Sequence, residues 1–523
     1  MSDDVAPKAD HHDALAPRPR IAPWVILVLL ITVAVADMPV LVTEPGPDVA
    51  RWLYIGARLN AGDRPYVDTM DNKFPPLFWV CRLTAAADQT HRALYLAAVV
   101  PDFLAACLLA LLARELVRHR TFWLAGLLYA AFVGMSDVHC MTENYAVPAM
   151  AATILLALRS LDSPRPTLIL TAAGVCFGTA CLFRPPLALD AAVVAWVVFV
   201  MSRGRATSPW ILRTASFAAG VGGAVTCVVV SAYVGGFLEE MIDVCLWHNL
   251  RYGISNVANQ GGRFTPELKL IAHFTVRVGE FFLAHGLALS GLVVLLVGGR
   301  RAFVAGTAAA LTLAMWYVLE ALATFPGGAH YTHHHIPWIA AACVCSAVLW
   351  AAIDRAPPPT MRLPNLTLAT LVGLAALGSL LFHPFVAVVR PETPGPGVYE
   401  EMAHEMGDLV GREDTVFFGS SKSLGNLRLR LNRPPNTRHL FVASYARSWG
   451  GSTLLDEWER DMMFDPPDWI VAPATDTAGG PTFFEPQLRK TPQARRFEQA
   501  FQGEYRLAWS RHGLALYEHA GAQ

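Results

Sequence analysis

The chain has 523 residues, 54% of them apolar, with a mean hydropathy of +0.37 and a formal net charge of −1. Charged residues make up 16%, against about a quarter in soluble domains. This balance excludes an ordinary soluble enzyme, gives nucleic-acid binding no electrostatic support and points to a polytopic membrane protein.

Residues 1–20 are polar and hold Pro, His and Arg, which reads as a disordered cytoplasmic tail. The apolar run behind them has no convincing small-residue cleavage site, so a retained span is expected. Runs long enough to cross a bilayer, about 20 residues each, fall near 21–42, 93–113, 121–138, 143–159, 166–183, 185–202, 211–233, 276–298, 302–323, 336–353 and 365–383. Nine cysteines lie mostly inside these runs, and none follows Cys345, so they form no disulfide framework. Cys343 and Cys345 point in different directions on a helix and are poor co-ligands.

The loops alternate in charge. RELVRHR (114–120), RSLDSPR (159–165), SRGRATSPWILR (202–213), GGRR (298–301) and DRAPPPTMR (354–362) are basic. SDVHCMTE (136–143), FRPP (183–186) and FPGGAHYTHHH (325–335) carry one fixed cation, Arg184. By the positive-inside rule the N-terminus is cytoplasmic, and loops 43–92 and 234–275 and everything after the last span lie outside an inner or plasma membrane.

The first outer loop is rich in charge: Glu44, Asp48, Asp63, Asp68 and Asp71 against Arg51, Arg58, Arg64 and Lys73. Val49 to Leu59 is patterned as an amphipathic helix that could lie on a membrane, with Leu53, Tyr54 and Ala57 on one face. In the second loop a surface-lying helix is expected over Leu238 to Tyr252. After PETPGPG (391–397) the composition becomes that of a soluble domain. A helix over Val398 to Val410, strands at 414–419 and 468–474, and a hairpin around Arg511-His512-Gly513 predict a small α/β fold. The expected organisation is a tail (1–20), a membrane module (21–390) and an extracytoplasmic α/β domain (391–523).

The first loop resembles that of GT-C fold glycosyltransferases, in particular bacterial relatives of protein mannosyltransferases and of the lipid A aminoarabinose transferase. The resemblance rests on Pro47-Asp48, Tyr54, Ala57, Leu59, Gly62, Pro65-Tyr66, Asp68, Asp71, Lys73 and Pro75-Pro76-Leu77. Thr142-Glu143, Phe183-Arg184-Pro185, Trp247-His248-Asn249 with Tyr252, and His330-Tyr331 with Pro337 follow in similar order. Val49 stands where the family often has Glu, and Arg184 where it often has Lys. The resemblance implies an α-helical membrane protein of GT-C type with about eleven spans. It also implies inverting transfer of a sugar from a polyprenyl-phosphate donor to a hydroxyl of a glycan, lipid or protein acceptor, among membrane lipids. It implies no certain cofactor and leaves the need for a divalent cation open.

Such a step needs a carboxylate base and cations around the departing phosphate. Asp48 is the candidate base; as Asp before a helix, it also suits an N-cap. Glu44 is a weaker alternative, expected to be solvated. Asp68, Asp71 and Lys73 either bind sugar or acceptor hydroxyls or form an ion-paired turn. Glu143 opens a span, where an acid is costly unless used yet also complements the helix dipole. Arg184 suits bidentate phosphate binding or snorkelling to head groups. By resemblance, His330 and Tyr331 contact the donor phosphate. The histidines of 330–335 have poor spacing for zinc and no carboxylate beside them in sequence, so no metal ligand is assigned. Trp247 and Tyr252 either line a substrate groove or anchor the interface. A transporter or flippase of a lipid-linked substrate is the rival reading, expected to show charged or broken helices at mid-membrane. A non-catalytic envelope scaffold is a third.

Overall fold

The structure is a computed structural model that describes residues 19–41, 43–87, 91–117, 119–134, 139–201, 209–250, 285–292, 306–324, 332–355, 398–419, 425–440, 451–474, 483–484, 488–501, 503–511 and 513–521. Among these residues, four helical stretches are long and apolar enough to cross a membrane: Arg92–Val117, Pro166–Phe183, Trp210–Val234 and His333–Ala351. Four shorter apolar stretches, Pro23–Ala36, Arg120–Val133, Pro185–Met201 and Ala308–Thr324, accompany them. The spans expected near 276–298 and 365–383 lie mostly or wholly outside the described residues.

The helical part comprises α1 (Pro23–Ala36), α2 (Pro47–Ala61), α3 (Pro75–Ala87), α4 (His91–Val117), α5 (Leu124–Gly134), α6 (Thr142–Arg159), α7 (Pro166–Phe183), α8 (Ala191–Trp196), α9 (Trp210–Val234), α10 (Leu238–Ile242), α11 (Gly306–Thr324) and α12 (Ile336–Arg355). α7 packs against both α6 and α9. Glycine permits the α7–α9 approach, since a Cβ on Gly174 would lie 2.1 Å from the Phe217 carbonyl oxygen. Leu212, Val230, Tyr233 and Val234 on α9 point outward and are exposed, as a lipid-facing surface requires. The segment expected as one span at 185–202 is broken instead. It runs as a 3-10 turn (Pro185–Asp190), α8 and a π turn (Val197–Met201), with Pro185 and Pro186 opening it.

The C-terminal residues form a four-stranded sheet of β1 (Val416–Phe418), β2 (Trp469–Pro473), β3 (Tyr505–Arg511) and β4 (Leu514–His519), in the order β1-β2-β4-β3. β1 and β2 are parallel; the other pairs are antiparallel. Gly513, at φ +76°, makes the β3–β4 turn. Both faces of the sheet are covered. Trp469 and Val471 face α13 (Val398–Gly407) and α14 (Gly425–Leu431), whereas Ile470 and Ala472 face α15 (Gly451–Phe464) and α16 (Pro492–Phe501). This alternation is the period of two that a strand imposes.

The expectation that α2 lies free on a membrane is corrected. Nearly every side chain from Val49 to Leu59 is buried, including Arg51. α2 is sandwiched between α3 and α14, and its apolar core continues into the sheet through Trp458, Phe483 and Phe484. The expected surface helix over Leu238 to Tyr252 is α10 followed by a π turn to His248; beyond Leu250 it leaves the described residues.

Candidate functional site

Asp48 is the second residue of α2, after Gly46 at the N-cap and Pro47. It sits in the first turn, where the helix dipole favours a negative charge. Its carboxylate is 43% exposed and lies 3.1 Å from Arg51 Nη2, one helical turn on. Arg51 also pairs at 2.7 Å with Asp71, whose side chain is only 3% exposed. The Trp52 indole donates to the same Asp71 oxygen at 3.3 Å. The two aspartates thus differ: Asp71 is consumed in holding Arg51 and Trp52, and Asp48 faces outward.

Lys73 stands close by, its ammonium 5.9 Å from the centre of the Trp52 ring. Among the described residues it has no carboxylate partner. Its backbone is fixed by three contacts. The Tyr66 hydroxyl donates to its carbonyl at 2.6 Å, the Cys245 thiol donates to the same oxygen at 3.3 Å, and the preceding Asn72 donates its amide to Asn249 Oδ1 at 2.7 Å while its backbone carbonyl accepts from the Asn249 amide at 2.8 Å. Tyr66 is wholly buried and has φ +67°, a conformation that costs a non-glycine residue energy. Burial, followed by the neighbouring Cys245, holds its phenol well above the usual tyrosine range, so it stays a donor.

Glu143 opens α6, and both its oxygens are engaged. Thr142 donates to one at 2.8 Å and Arg184 to the other. Arg184 ends α7 and also donates to the carbonyls of His334 at 3.0 Å and Ala323 at 3.4 Å. One buried guanidinium therefore ties together the ends of α6, α7, α11 and α12. His333 and His334 lie on a 3-10 turn, and their ring centroids are 4.5 Å apart. Candidate ligand atoms of Glu143, His333 and His334 lie within 4.8 Å of one another. The carboxylate that the sequence does not place near the histidines comes from another helix. His333 also feels the charges of Lys73, Arg184 and Asp48, which links the α2 cluster to the Glu143 cluster.

Other expected residues are placed differently. Asp68 stands apart from Asp71 and Lys73, accepting from the Arg64 backbone N–H at 2.6 Å. It lines a cavity of about 640 Å³ shared with Arg58, Asp63, Arg438, Glu457 and Asp461. Glu44 is not solvated: its side chain is 8% exposed and accepts from Arg430 at 2.7 Å. Trp247 is exposed. His330, Tyr331 and Tyr252 lie outside the described residues. Sequence reasoning missed Arg51 and Trp52, though Arg51 three residues after Asp48 was a readable signal. It also missed Asp190 and Glu320, a buried acidic pair held in part by Trp316 Nε1 at 3.1 Å. Their contact joins distant helices and leaves no local trace.

Residues 72–233 match the family model described as dolichyl-phosphate-mannose-protein mannosyltransferase. That segment holds Lys73, Glu143 and Arg184 but not Asp48, Asp68 or Asp71. No protein of curated function matches the chain in sequence. Among solved structures, ArnT from Cupriavidus metallidurans bound to undecaprenyl phosphate is similar, with a TM-score of 0.62 and 15% identity over 96% of this chain and 99% of that one. Apo ArnT from the same organism gives 0.61, at 15% identity over 94% of this chain and 97% of that one. The Archaeoglobus fulgidus oligosaccharyltransferase with zinc and sulfate gives 0.51, at 13% identity over 85% and 68%. The chain therefore shares the GT-C fold of ArnT, and over residues 72–233 it is similar to the protein mannosyltransferase family model.

Proposed function

We propose that this protein is an integral membrane glycosyltransferase. It moves a sugar from a polyprenyl-phosphate donor to an acceptor hydroxyl on the extracytoplasmic face, with inversion. The observation that carries the reading is that the half-exposed Asp48 carboxylate and the Lys73 ammonium, which has no carboxylate partner among the described residues, both act on His333. Acid and cation stand at one end of a helical bundle of GT-C fold, where the first requirement is a base and the second a charge for the leaving phosphate.

In the proposed step Asp48 takes the proton of the acceptor hydroxyl as its oxygen attacks the anomeric carbon. The bond from that carbon to the phosphate oxygen breaks, and the phosphate leaves against Lys73. A single displacement inverts the centre. Arg51 orients Asp48 and is itself fixed by Asp71. Arg184 acts one layer deeper, as the counter-ion of Glu143. The acceptor approaches through the polar cleft lined by Asp68 and Arg438, so the C-terminal sheet domain takes part in acceptor choice.

A divalent cation at Glu143, His333 and His334 does not fit the arrangement. Both oxygens of Glu143 already accept from protein donors, and a dication there would meet Arg184 and feel Lys73. The step above therefore uses none.

The flippase reading has one feature in its favour, the broken segment 185–201 with Asp190 against Glu320. Purified protein, offered a panel of radiolabelled polyprenyl-phosphate sugars and a membrane extract as acceptor in detergent, separates the two. Covalent labelling of acceptor without any membrane to cross supports the transferase. Donor movement across liposomes with no labelled acceptor supports the flippase.

A further inference from the structure

A second cluster of ligand-type side chains lies away from the transfer site. Asp37 follows the last turn of α1, Asp102 lies within α4 just after Pro101, and His139 lies in the stretch entering α6. One donor atom from each lies within 4.8 Å of the others. Both aspartates are 1% exposed. His139 Nδ1 is 2.8 Å from Asp37 Oδ1. Among the described residues, Asp102 accepts only from neutral groups: the Asn144 amide at 3.1 and 3.2 Å and the Tyr129 hydroxyl at 3.3 Å.

Two details point to a ligand site. Asp37 Oδ2 and His139 Nε2 are buried and, among the described residues, have no hydrogen-bond partner. Among the described residues, no Lys or Arg pairs with either carboxylate, in contrast to Glu143 with its Arg184. Two buried carboxylates with one imidazole and no fixed cation are a charge arrangement that a dication completes. Hard magnesium and calcium favour all-oxygen sites, whereas an imidazole with two carboxylates suits a first-row transition ion.

We propose that Asp37, Asp102 and His139 form a divalent transition-metal site, of zinc or manganese type, that pins the turn leading into Glu143. Zinc ligands stand about 2.0–2.2 Å from the ion, so the three side chains close inward by roughly an ångström on loading. The site binds the end of α1 to α4 and to residue 139. Asp102 is already joined through Asn144 to the first turn of α6, whose second residue is Glu143. The ion's role is to position that turn, and the transfer chemistry stays at Asp48.

The test is metal content of the full-length protein in detergent, loaded with zinc or manganese and then desalted, by inductively coupled plasma mass spectrometry. Wild type and a His333→Gln, His334→Gln double variant are expected to retain about one equivalent. Asp37→Asn and His139→Gln are expected to retain at least tenfold less, with the rise in melting temperature on loading lost as well. Retention by wild type no greater than by Asp37→Asn would overturn the proposal, as would loss of the ion in the double variant. Should the single variants misfold, zinc K-edge absorption of loaded wild type decides alone. One imidazole in an oxygen and nitrogen shell is expected; two imidazoles, or sulfur, contradict the site.

Discussion

At the scale of single residues, Lys73 and Arg184 stand in settings that their positions in the sequence do not suggest. Arg184 reads as the phosphate cation because it is alone among the short outer loops. In the fold it is buried and committed to Glu143 and two carbonyls, whereas Lys73 is left available. Lys73→Gln is expected to weaken donor binding about tenfold to a hundredfold, the worth of one charged hydrogen bond, with an unchanged melting temperature. Arg184→Gln is expected to destabilise the protein by about 3 kcal/mol or more, because it strands a buried carboxylate. Thermal unfolding with and without donor distinguishes these; a stable Arg184→Gln protein that fails only to bind donor would restore the sequence reading.

His439 offers a test at the same scale. Burial, then the charge of Arg438, pushes its imidazole down to about 3 from an ordinary 6.5. Glu457 and Asp461, 3.8 and 3.9 Å away, pull the other way, but both are partly solvated and Glu457 is shared with Arg438. Between those two values the unfolded chain binds a proton that the folded chain does not. Stability from this group is complete above about pH 6.5 and is lost as pH falls towards 3. The melting temperature should therefore drop on acidification, by at most about 1.4 kcal/mol of stability per pH unit. His439→Gln should flatten that slope between pH 6 and 4; an identical slope rejects the assignment.

At the scale of elements, the legible parts were those with strong local periodicity. The helices near 93–113, 166–183 and 211–233 are long apolar runs, β2 is a short apolar run and β3–β4 a hairpin closed at Gly513. The break at 185–201 was hidden because its residues are as apolar as a span; only Pro185 and Pro186 signalled it. The state of α2 was misjudged for a different reason. Its two-faced pattern is real, but its polar side chains, Arg51 above all, meet partners from Asp71 and the sheet domain instead of solvent. Gly56 carries this packing: a Cβ there would lie 2.5 Å from the Cys81 carbonyl carbon. Gly56→Ala is expected to cost about 1–3 kcal/mol and to lower transfer by shifting Asp48, read by melting temperature and rate together. An alanine variant of full stability and full rate would show that α2 and α3 are less rigidly apposed.

At the scale of the whole molecule, the sheet domain is built onto the first loop. Arg430 meets Glu44 at 2.7 Å, Tyr54 donates to the Arg433 carbonyl at 2.8 Å, and the Met70 N–H donates to the Arg438 carbonyl at 2.9 Å. Gly425 lies against Pro47, one residue from Asp48. None of this was readable from the chain, since the contacts span more than 360 residues and involve backbone atoms. An α/β composition after residue 391 was legible; its attachment to the loop carrying Asp48 was not. Combined Arg430→Ala and Tyr54→Phe substitutions are expected to speed hydrogen exchange of α2 by tenfold or more, while the sheet strands keep their protection. Unchanged exchange in α2 would mean that the helical module alone fixes it.

The most direct test of the account is a single-turnover measurement of sugar transfer by wild type and Asp48→Asn, alongside donor binding by each. The account predicts that Asp48→Asn binds the polyprenyl-phosphate sugar as wild type does and stays monodisperse, but transfers at least a hundredfold more slowly, the range expected for loss of a general base. Transfer by Asp48→Asn at the wild-type rate would contradict it and remove Asp48 as the base.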